Sequence, residues 1–233
     1  MATTAILGHR GSPDPADGVR ENTLEAFERA RRLGADGIEL DVRSTADGAM
    51  AVHHDPVVPG GVAVGESGAA DLPAFVPMLS DALSACRGMT VNVEIKNLPW
   101  EPGFDPGEGL AGQVADLVVS AGRASDVLVS SFWLPTLVAV RRARPEVATG
   151  LLVASRLDPA EATDSAVESG LGALHPHIDL VGAALVDRAH RAGLAVAAWT
   201  VNEREQLERA KALALDTVIT DDVAFALAIL GPG

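Results

Sequence analysis

The sequence predicts an α/β fold, a closed (β/α)8 barrel of eight parallel strands. Short apolar segments alternate with amphipathic, helix-like segments over the whole chain, which is typical of parallel strands joined by helical crossovers. The length of 233 residues also suits one such barrel, which takes about 250 residues. Several apolar segments stop at charged side chains, as barrel strands do where they reach the functional face.

The predicted strands are short runs rich in Ile, Val, Leu and Ala. They cover residues 4–8, 37–42, 49–54, 90–96, 126–131, 148–153, 171–175, 194–200 and 216–220. The predicted helices lie between these runs and repeat apolar side chains every three or four positions. They cover residues 22–33, 78–86, 107–121, 134–143, 159–169, 182–191, 203–213 and 222–230.

The first helix has clear boundary signals. Its start shows a capping residue, Asn22, three places before Glu25, and Gly34 supplies the stop. One apolar face follows, formed by Leu24, Phe27, Ala30 and Leu33. This pattern predicts a helix that packs against the barrel.

The strand count exceeds the number of places in the barrel by one. Segment 49–54 follows segment 37–42 after only the short turn 44–48, which has no room for a helical crossover. We therefore expect segment 49–54 to lie outside the barrel.

Two long connections border the functional face. Segment 56–77 is rich in Gly and Ala and predicts a short insertion after His54-Asp55, and segment 97–109 contains three prolines. Loops that follow barrel strands commonly carry binding residues. Neither segment resembles a linker, so the sequence predicts a single domain over residues 1–233.

Composition limits the class of protein. The chain has no run of eighteen or more uncharged apolar residues, which a membrane-spanning helix would need. Cys86 is its only cysteine, which excludes an internal disulfide and a cysteine-rich zinc site. The chain enters strand 4–8 without a basic segment or a signal-type apolar stretch. We therefore expect a cytoplasmic protein.

The charge balance argues against nucleic-acid partners and stable membrane association. The net charge is −14, with 32 acidic and 18 basic residues. An anionic small molecule would have to meet local positive charge. Lys96 is one of only two lysines and follows an apolar strand, on the same face as Glu94. It predicts either a phosphate contact or an ion pair at the barrel rim.

Three carboxylates suggest a metal site. Glu39 and Asp41 are two apart on one predicted strand and therefore project to the same face, while Glu94 lies on another strand that fits beside it. Hard oxygen ligands without thiolates favour Mg²⁺ or Ca²⁺, or Mn²⁺, over zinc. The alternative is that these carboxylates form ordinary ion pairs with Arg10 or Arg43.

Two of the six histidines suggest acid–base chemistry. His9 ends the first strand before Arg10 and a glycine, and His54 precedes Asp55, which can orient it. Two histidines on opposite sides of a phosphodiester can serve as general base and general acid. Of the other four histidines, His53 is expected to pack or lie at the surface and His190 to be exposed. The roles of His175 and His177 are left open.

The order of these motifs resembles the glycerophosphodiester phosphodiesterase family over nearly the whole chain. The matching segments are His9-Arg10-Gly11, Glu21-Asn22-Thr23, Glu39-Leu40-Asp41-Val42, His54-Asp55, Glu94-Ile95-Lys96 and Trp199-Thr200-Val201-Asn202. Two further segments, Ser130-Ser131-Phe132 and Thr220-Asp221, also resemble family positions. Six ordered motifs are far more specific than any one of them.

The resemblance implies a TIM-type barrel that hydrolyses glycerophosphodiesters to sn-glycerol 3-phosphate and an alcohol. The implied residues are His9 and His54 for acid–base catalysis, Glu39, Asp41 and Glu94 for one divalent metal ion, Arg10 and Lys96 for phosphate, and Glu21 and Trp199 for lining the pocket. By analogy with related barrel phospholipases, a substrate hydroxyl could attack first and give a cyclic phosphate. Trp199 has an alternative role as a core aromatic.

Two other functions remain open at this point. The same metal and histidines would serve a relative that acts on another phosphodiester, such as a lysophospholipid or a phosphoinositol. A non-catalytic barrel that binds phosphoesters belongs to a different class. The second alternative needs Arg10 and Lys96 but no acid–base pair, so the two histidines favour an enzyme.

Overall fold

The structure is a computed structural model that describes residues 3–154 and 158–231. In this part of the chain, parallel pairing of the strands closes a ring. The strands are β1 (Ala5–Gly8), β2 (Gly37–Ser44), β3 (Met50–Val52), β4 (Val57–Val58), β5 (Val62–Ala63), β6 (Thr90–Ile95), β7 (Val127–Ser131), β8 (Ala148–Val153), β9 (Ala173–Pro176), β10 (Ala195–Ala198) and β11 (Thr217–Thr220). The helices are α1 (Leu24–Leu33), α2 (Leu79–Ala85), α3 (Gly109–Ser120), α4 (Leu134–Ala143), α5 (Pro159–Glu168), α6 (Ala183–Arg191), α7 (Arg204–Ala212) and α8 (Val223–Leu230).

The first strand closes the barrel. β1 pairs in parallel with both β2 and the last strand, β11, and the intervening pairs run β2, β6, β7, β8, β9, β10, β11. Gly37 on β2 lies between β1 and β6, where a Cβ atom would come within 2.2 Å of the Thr90 carbonyl oxygen on β6 and within 2.6 Å of the Leu7 side chain on β1. Only glycine allows so close an approach of two strands. The predicted (β/α)8 barrel of TIM type is confirmed.

Alternation along the strands separates an apolar outer layer from a polar interior. On β2, Ile38, Leu40 and Val42 are fully buried in the core between sheet and helices. The residues between them therefore project into the barrel. Burial of each large apolar side chain contributes roughly 1.5–3 kcal/mol, so the outer layer fixes the strand register. That register in turn places the charged side chains of β2 and β6 inside.

The start of α1 differs from the prediction. Thr23, not Asn22, caps the helix, since the Thr23 hydroxyl accepts a hydrogen bond from the Ala26 backbone N–H. The Asn22 side chain instead donates to Asp41 Oδ2 at 2.8 Å, and its own backbone has a φ of 55°. The predicted stop at Gly34 is confirmed, with a φ of 93°.

The segment 49–54 lies outside the barrel, as predicted. Its ordered part, β3, pairs antiparallel with β2, with Val42 opposite Val52. The insertion that follows forms the β4–β5 hairpin and two single turns of 3-10 helix. It has a small apolar cluster of its own, formed by Ala51, Val58, Val64 and Val76. The insertion is therefore a packed unit seated beside the end of β2.

The helices around the barrel are short. The longest described helix, α3, has 12 residues, whereas crossing a bilayer takes about 20 apolar residues. Within residues 3–154 and 158–231, no helix has both the length and the hydropathy for a membrane span.

His175 lies inside the barrel wall on β9 and is only 2% exposed. Its ring occupies the space above Gly150 on β8, where a Cβ atom would be 2.7 Å from Nε2. Nδ1 has no hydrogen-bond partner among the described residues. Burial lowers the pKa of His175 from 6.5 to about 4. The residue that the sequence left unassigned is thus a neutral core histidine.

We expect this burial to make the fold sensitive to acid. The pKa of His175 is lower in the folded state, so between pH 6.5 and 4 the unfolded chain binds a proton at this residue and the folded chain does not. His175 should therefore cost at most about 3 kcal/mol of stability as the pH falls through this window. Urea unfolding at pH 7 and pH 4 should show a smaller acid-induced loss for His175→Asn than for the parent. Identical losses would contradict the burial argument.

Candidate active site

Three buried carboxylates meet at the carboxyl-terminal end of β2 and β6. Asp41 and Glu94 are direct neighbours in the β2–β6 pairing, and Glu39 lies two residues before Asp41. One carboxylate oxygen from each of the three residues lies within 4.8 Å of the others. We call Glu39, Asp41 and Glu94 the acidic triad. The period of two along each strand and the register between them are what bring these side chains together.

The acidic triad is electrostatically crowded. Burial, reinforced by Asp41, raises the pKa of Glu39 to about 8, and burial also raises the pKa of Glu94. Burial acts in the same sense on Asp41, but Lys96, His54 and Arg10 together outweigh it and lower the pKa of that carboxyl. Glu39 Oε1 is buried without a hydrogen-bond partner among the described residues. Such an unpaired carboxylate oxygen fits a hard divalent cation, which would supply the missing positive charge.

Two cations contact the acidic triad. Lys96 Nζ lies 2.5 Å from Glu94 Oε1 and 3.1 Å from Asp41 Oδ1. Arg10 Nε lies 3.6 Å from Asp41 Oδ2, and the Arg10 backbone N–H donates to Glu39 Oε2 at 2.9 Å. The ion pair of Lys96, which the sequence offers as the alternative to a phosphate contact, is thus present. So is the ion pair with Arg10, which the sequence offers as the alternative to a metal site. The Lys96 and Arg10 side chains also keep positive charge beside the acidic triad, where it would attract an anionic group.

His9 reaches the acidic triad from the end of β1. Its Nε2 lies 4.0 Å from Glu39 Oε2, while Nδ1 is 2.7 Å from Asp221 Oδ1. Asp221 is held in turn by Asn202, whose Nδ2 donates to Asp221 Oδ2 at 2.6 Å. Burial opposes the charged form of His9, but Asp221 and Glu39 prevail and raise its pKa. Asp221 therefore fixes the ring with Nε2 toward the triad.

The sequence assigns no role to Asp221, although the segment Thr220-Asp221 resembles a family position. It lies 212 residues from His9 along the chain and meets it only because β11 pairs with β1. A carboxylate directly after the last predicted strand was the available signal, since the ends of the first and last strands meet in a closed barrel.

We expect Asp221→Asn to lower kcat by about 10–100-fold with little change in KM. The amide would no longer favour the tautomer and orientation that leave Nε2 free. Steady-state kinetics of parent and variant would measure this. The chain offers a matched control, Asp216→Asn, because Asp216 pairs with His190 at 2.9 Å far from the triad. Equal losses in both variants would show a general stability effect.

His54 lies on the loop after β3. Its Nδ1 is 2.7 Å from Asp55 Oδ1, as the sequence suggested, and its side chain is 32% exposed. Burial, with Lys96 and Arg10 nearby, lowers its pKa despite the opposing charge of Asp41. His53 turns to the Asp55 carbonyl oxygen instead, at 2.9 Å. His54 thus lies close enough to Asp41, Lys96 and Arg10 for their charges to act on it, while His9 approaches Glu39.

An aromatic group borders the site, because Trp199 lines a small cavity together with His9, Glu39 and Glu94. The Trp199 ring is half-buried after β10, and its Nε1 donates to the His175 carbonyl oxygen at 2.7 Å. Phe132 and His177 contact it edge to face, at centroid distances of 5.4 and 5.0 Å. Glu21 is about half exposed and binds Arg10 NH1 at 2.8 Å. It is therefore linked to the triad through Arg10, which lies 3.6 Å from Asp41.

Comparison with known proteins agrees with this arrangement. The sequence model of the glycerophosphoryl diester phosphodiesterase family matches residues 9–225. A glycerophosphodiester phosphodiesterase from Caldanaerobacter subterraneus subsp. tengcongensis is 30% identical over 94% of each chain.

Solved structures show the same fold. A glycerophosphodiester phosphodiesterase from Parabacteroides distasonis has a TM-score of 0.84 at 22% identity, over 98% of this chain and 97% of that one. An Oleispira antarctica phosphodiesterase, solved with the product sn-glycerol-3-phosphate, has a TM-score of 0.82 at 22% identity, over 99% and 98%. The family match over almost the whole length, together with the arrangement of the motif residues, shows that the chain belongs to the glycerophosphodiester phosphodiesterase family.

Proposed function

We propose that this protein hydrolyses glycerophosphodiesters to sn-glycerol 3-phosphate and an alcohol, with one divalent metal ion and a pair of histidines. The observation that carries the proposal is the buried acidic triad with His9 and His54 beside it at one end of the barrel. Family membership supports the reaction class. The product found with the Oleispira antarctica relative, sn-glycerol-3-phosphate, supports the glycerol side of the substrate.

Glu39, Asp41 and Glu94 are the residues that would hold the metal ion. Their buried carboxylates form an all-oxygen donor set, and Glu39 Oε1 accepts no hydrogen bond from the described residues. This chemistry suits Mg²⁺ or Ca²⁺, and also Mn²⁺. A bound ion would neutralise negative charge that develops on the phosphoryl oxygens.

Arg10 and Lys96 would bind the substrate phosphate. Their positive charges lie beside the triad and already contact its carboxylates. Neutralisation of those carboxylates would leave both side chains free to donate to phosphate oxygens. Trp199 and Glu21 would contact the glycerol or alcohol groups.

His9 and His54 would transfer the protons. One takes the proton of the attacking hydroxyl as a new bond to phosphorus forms, and the other donates a proton to the departing alcohol oxygen as its bond to phosphorus breaks. Attack by a substrate hydroxyl gives a cyclic phosphate, and water then opens it with the roles of the two histidines reversed. The two steps together consume one water and return both histidines to their starting states. Asp221 and Asp55 hold the two rings through their Nδ1 atoms.

Product release tests the proposal directly. Protein stripped with EDTA would be resupplied with Mg²⁺, Ca²⁺ or Mn²⁺ and assayed for sn-glycerol 3-phosphate from glycerophosphocholine, glycerophosphoethanolamine and glycerophosphoglycerol. We expect turnover that one of the ions restores. A folded, metal-competent protein that released nothing from all three substrates would contradict the proposal and favour a different phosphodiester or a binding role.

A further inference from the structure

A buried arginine connects the barrel wall to the loop that carries His54. Arg43 lies on β2 and is only 5% exposed. Its Nε donates to the His54 carbonyl oxygen at 2.7 Å, and its NH2 lies 2.7 Å from Glu101 Oε2. Within the described residues, Arg43 therefore binds the loop after β3 and the loop after β6, and these contacts do not involve the acidic triad.

The position of His54 depends on its backbone. β3 ends at Val52 and β4 begins at Val57, so His54 lies outside both strands. The backbone N–H of His53 donates to the Asp41 carbonyl oxygen on β2 at 3.0 Å, directly before His54. Its imidazole is bound by Asp55, which belongs to the same loop and has a side chain that is 67% exposed. That contact orients the ring within the loop but does not attach the loop to the barrel. The bond from Arg43 to the His54 carbonyl attaches His54 itself to β2, one residue after the backbone bond of His53.

Glu101 fixes the arginine. A guanidinium this deeply buried needs a partner for its charge, and Glu101 supplies it from the loop that follows β6. The planar, permanently charged guanidinium can then bind a carboxylate on one edge and a carbonyl through Nε. Three segments thus meet at one side chain: β2, the His54 loop and the loop after β6.

We infer that Arg43 is a positioning residue for His54 and that Glu101 holds Arg43 in the required orientation. The inference rests on the proposed function, because it assigns Arg43 its effect through the proton transfer given to His54. A displacement of about 1 Å in a catalytic group can lower the rate about 10²-fold. Arg43 therefore affects kcat while leaving the acidic triad and the phosphate-binding cations in place.

A double-mutant cycle tests the inference with metal-loaded enzyme and glycerophosphocholine. We expect Arg43→Met to lower kcat by about 10–100-fold, with KM within about twofold and unchanged affinity for the metal ion. In the His54→Ala background, the same substitution should lower kcat by less than about twofold, because the group that Arg43 positions is gone. A merely structural role would not produce this dependence on His54.

Arg123→Met is the matched control. Arg123 is also 5% exposed and also binds backbone carbonyl oxygens, but it lies before β7, at the opposite end of the barrel. We expect this variant to have a lower Tm and an unchanged kcat. If Arg43→Met does not fold, Glu101→Gln replaces it, with a severalfold loss of kcat expected only when His54 is present.

Three results would overturn the inference. They are an unchanged kcat in the folded Arg43 or Glu101 variant, an equal loss in both His54 backgrounds, and a loss that follows weaker metal binding. Full activity of His54→Ala would instead reject the catalytic role of His54, and with it the positioning role of Arg43. The failure of the proposed function is thus distinguishable from the failure of the Arg43 inference alone.

Discussion

Replacement of Glu39 by glutamine is expected to lower metal-dependent turnover by at least about 10³-fold while the barrel stays folded. Glu39 supplies one of three carboxylates within 4.8 Å of one another, and its Oε1 lacks a partner among the described residues. A neutral amide oxygen is a weaker ligand for a hard cation than a carboxylate. Turnover of glycerophosphocholine across a titration of Mg²⁺, Ca²⁺ or Mn²⁺ would measure the loss.

The same substitution should leave the metal-free protein at least as stable as the parent. Burial and the charge of Asp41 raise the pKa of Glu39 from 4.5 to about 8. Because the folded pKa is the higher one, the parent loses stability as the pH rises through this range, whereas glutamine has no proton to lose. Glutamine also keeps an acceptor for the Arg10 backbone N–H. Urea unfolding of the metal-free proteins at pH 5 and pH 8 would measure the difference.

Asp36→Asn is a matched control for Glu39→Gln. The Asp36 carboxylate also accepts a backbone N–H near β1, from Ile6 at 2.8 Å, but at the amino-terminal end of the barrel. This control should keep both turnover and the rise in Tm that a bound metal ion gives the parent. A Glu39→Gln variant that also kept both properties would show that Glu39 holds no metal ion.

The barrel and the acidic triad could be predicted because their signals are local. Alternation of strands and helices is visible in short segments, and the period of two in β2 and β6 places Glu39, Asp41 and Glu94 on inward faces. The position of segment 49–54 outside the barrel also followed from a turn too short for a crossover.

The supporting contacts could not be predicted in the same way. Asn22 is a good capping residue by type, yet its side chain binds Asp41, and Thr23 takes the cap. The two groups meet only after the barrel closes. Asp221 and Arg43 bind groups on segments whose positions depend on loop conformation or on strand pairing across the closed ring. Residue type and position place Asp221 at a strand end, but they do not show which group it binds.

Replacement of His9 by alanine is expected to lower kcat by about 10²–10⁴-fold, the usual contribution of a general acid or base. His9 Nδ1 is occupied by Asp221, which leaves Nε2 directed toward the acidic triad, 4.0 Å from Glu39 Oε2. Alanine removes the only group of this side chain that can exchange a proton. Steady-state kinetics with the metal-loaded enzyme would give the loss in kcat.

His190→Ala is the control for this experiment. His190 is also paired with an aspartate, with Nε2 at 2.9 Å from Asp216 Oδ2, but it lies on α6, away from the triad. Loss of this pair should change kcat by less than about twofold. A comparable loss of kcat in both variants would indicate that removal of any aspartate-paired histidine disturbs the fold.

Metal binding separates the role of His9 from that of Glu39. His9→Ala leaves all three carboxylates of the acidic triad in place, so the metal ion should still raise its Tm as it raises that of the parent. Glu39→Gln should lose both the Tm rise and the turnover. If His9→Ala also lost the Tm rise, His9 would belong to the metal site rather than to proton transfer. If it kept full activity, the proton would have to move through another group.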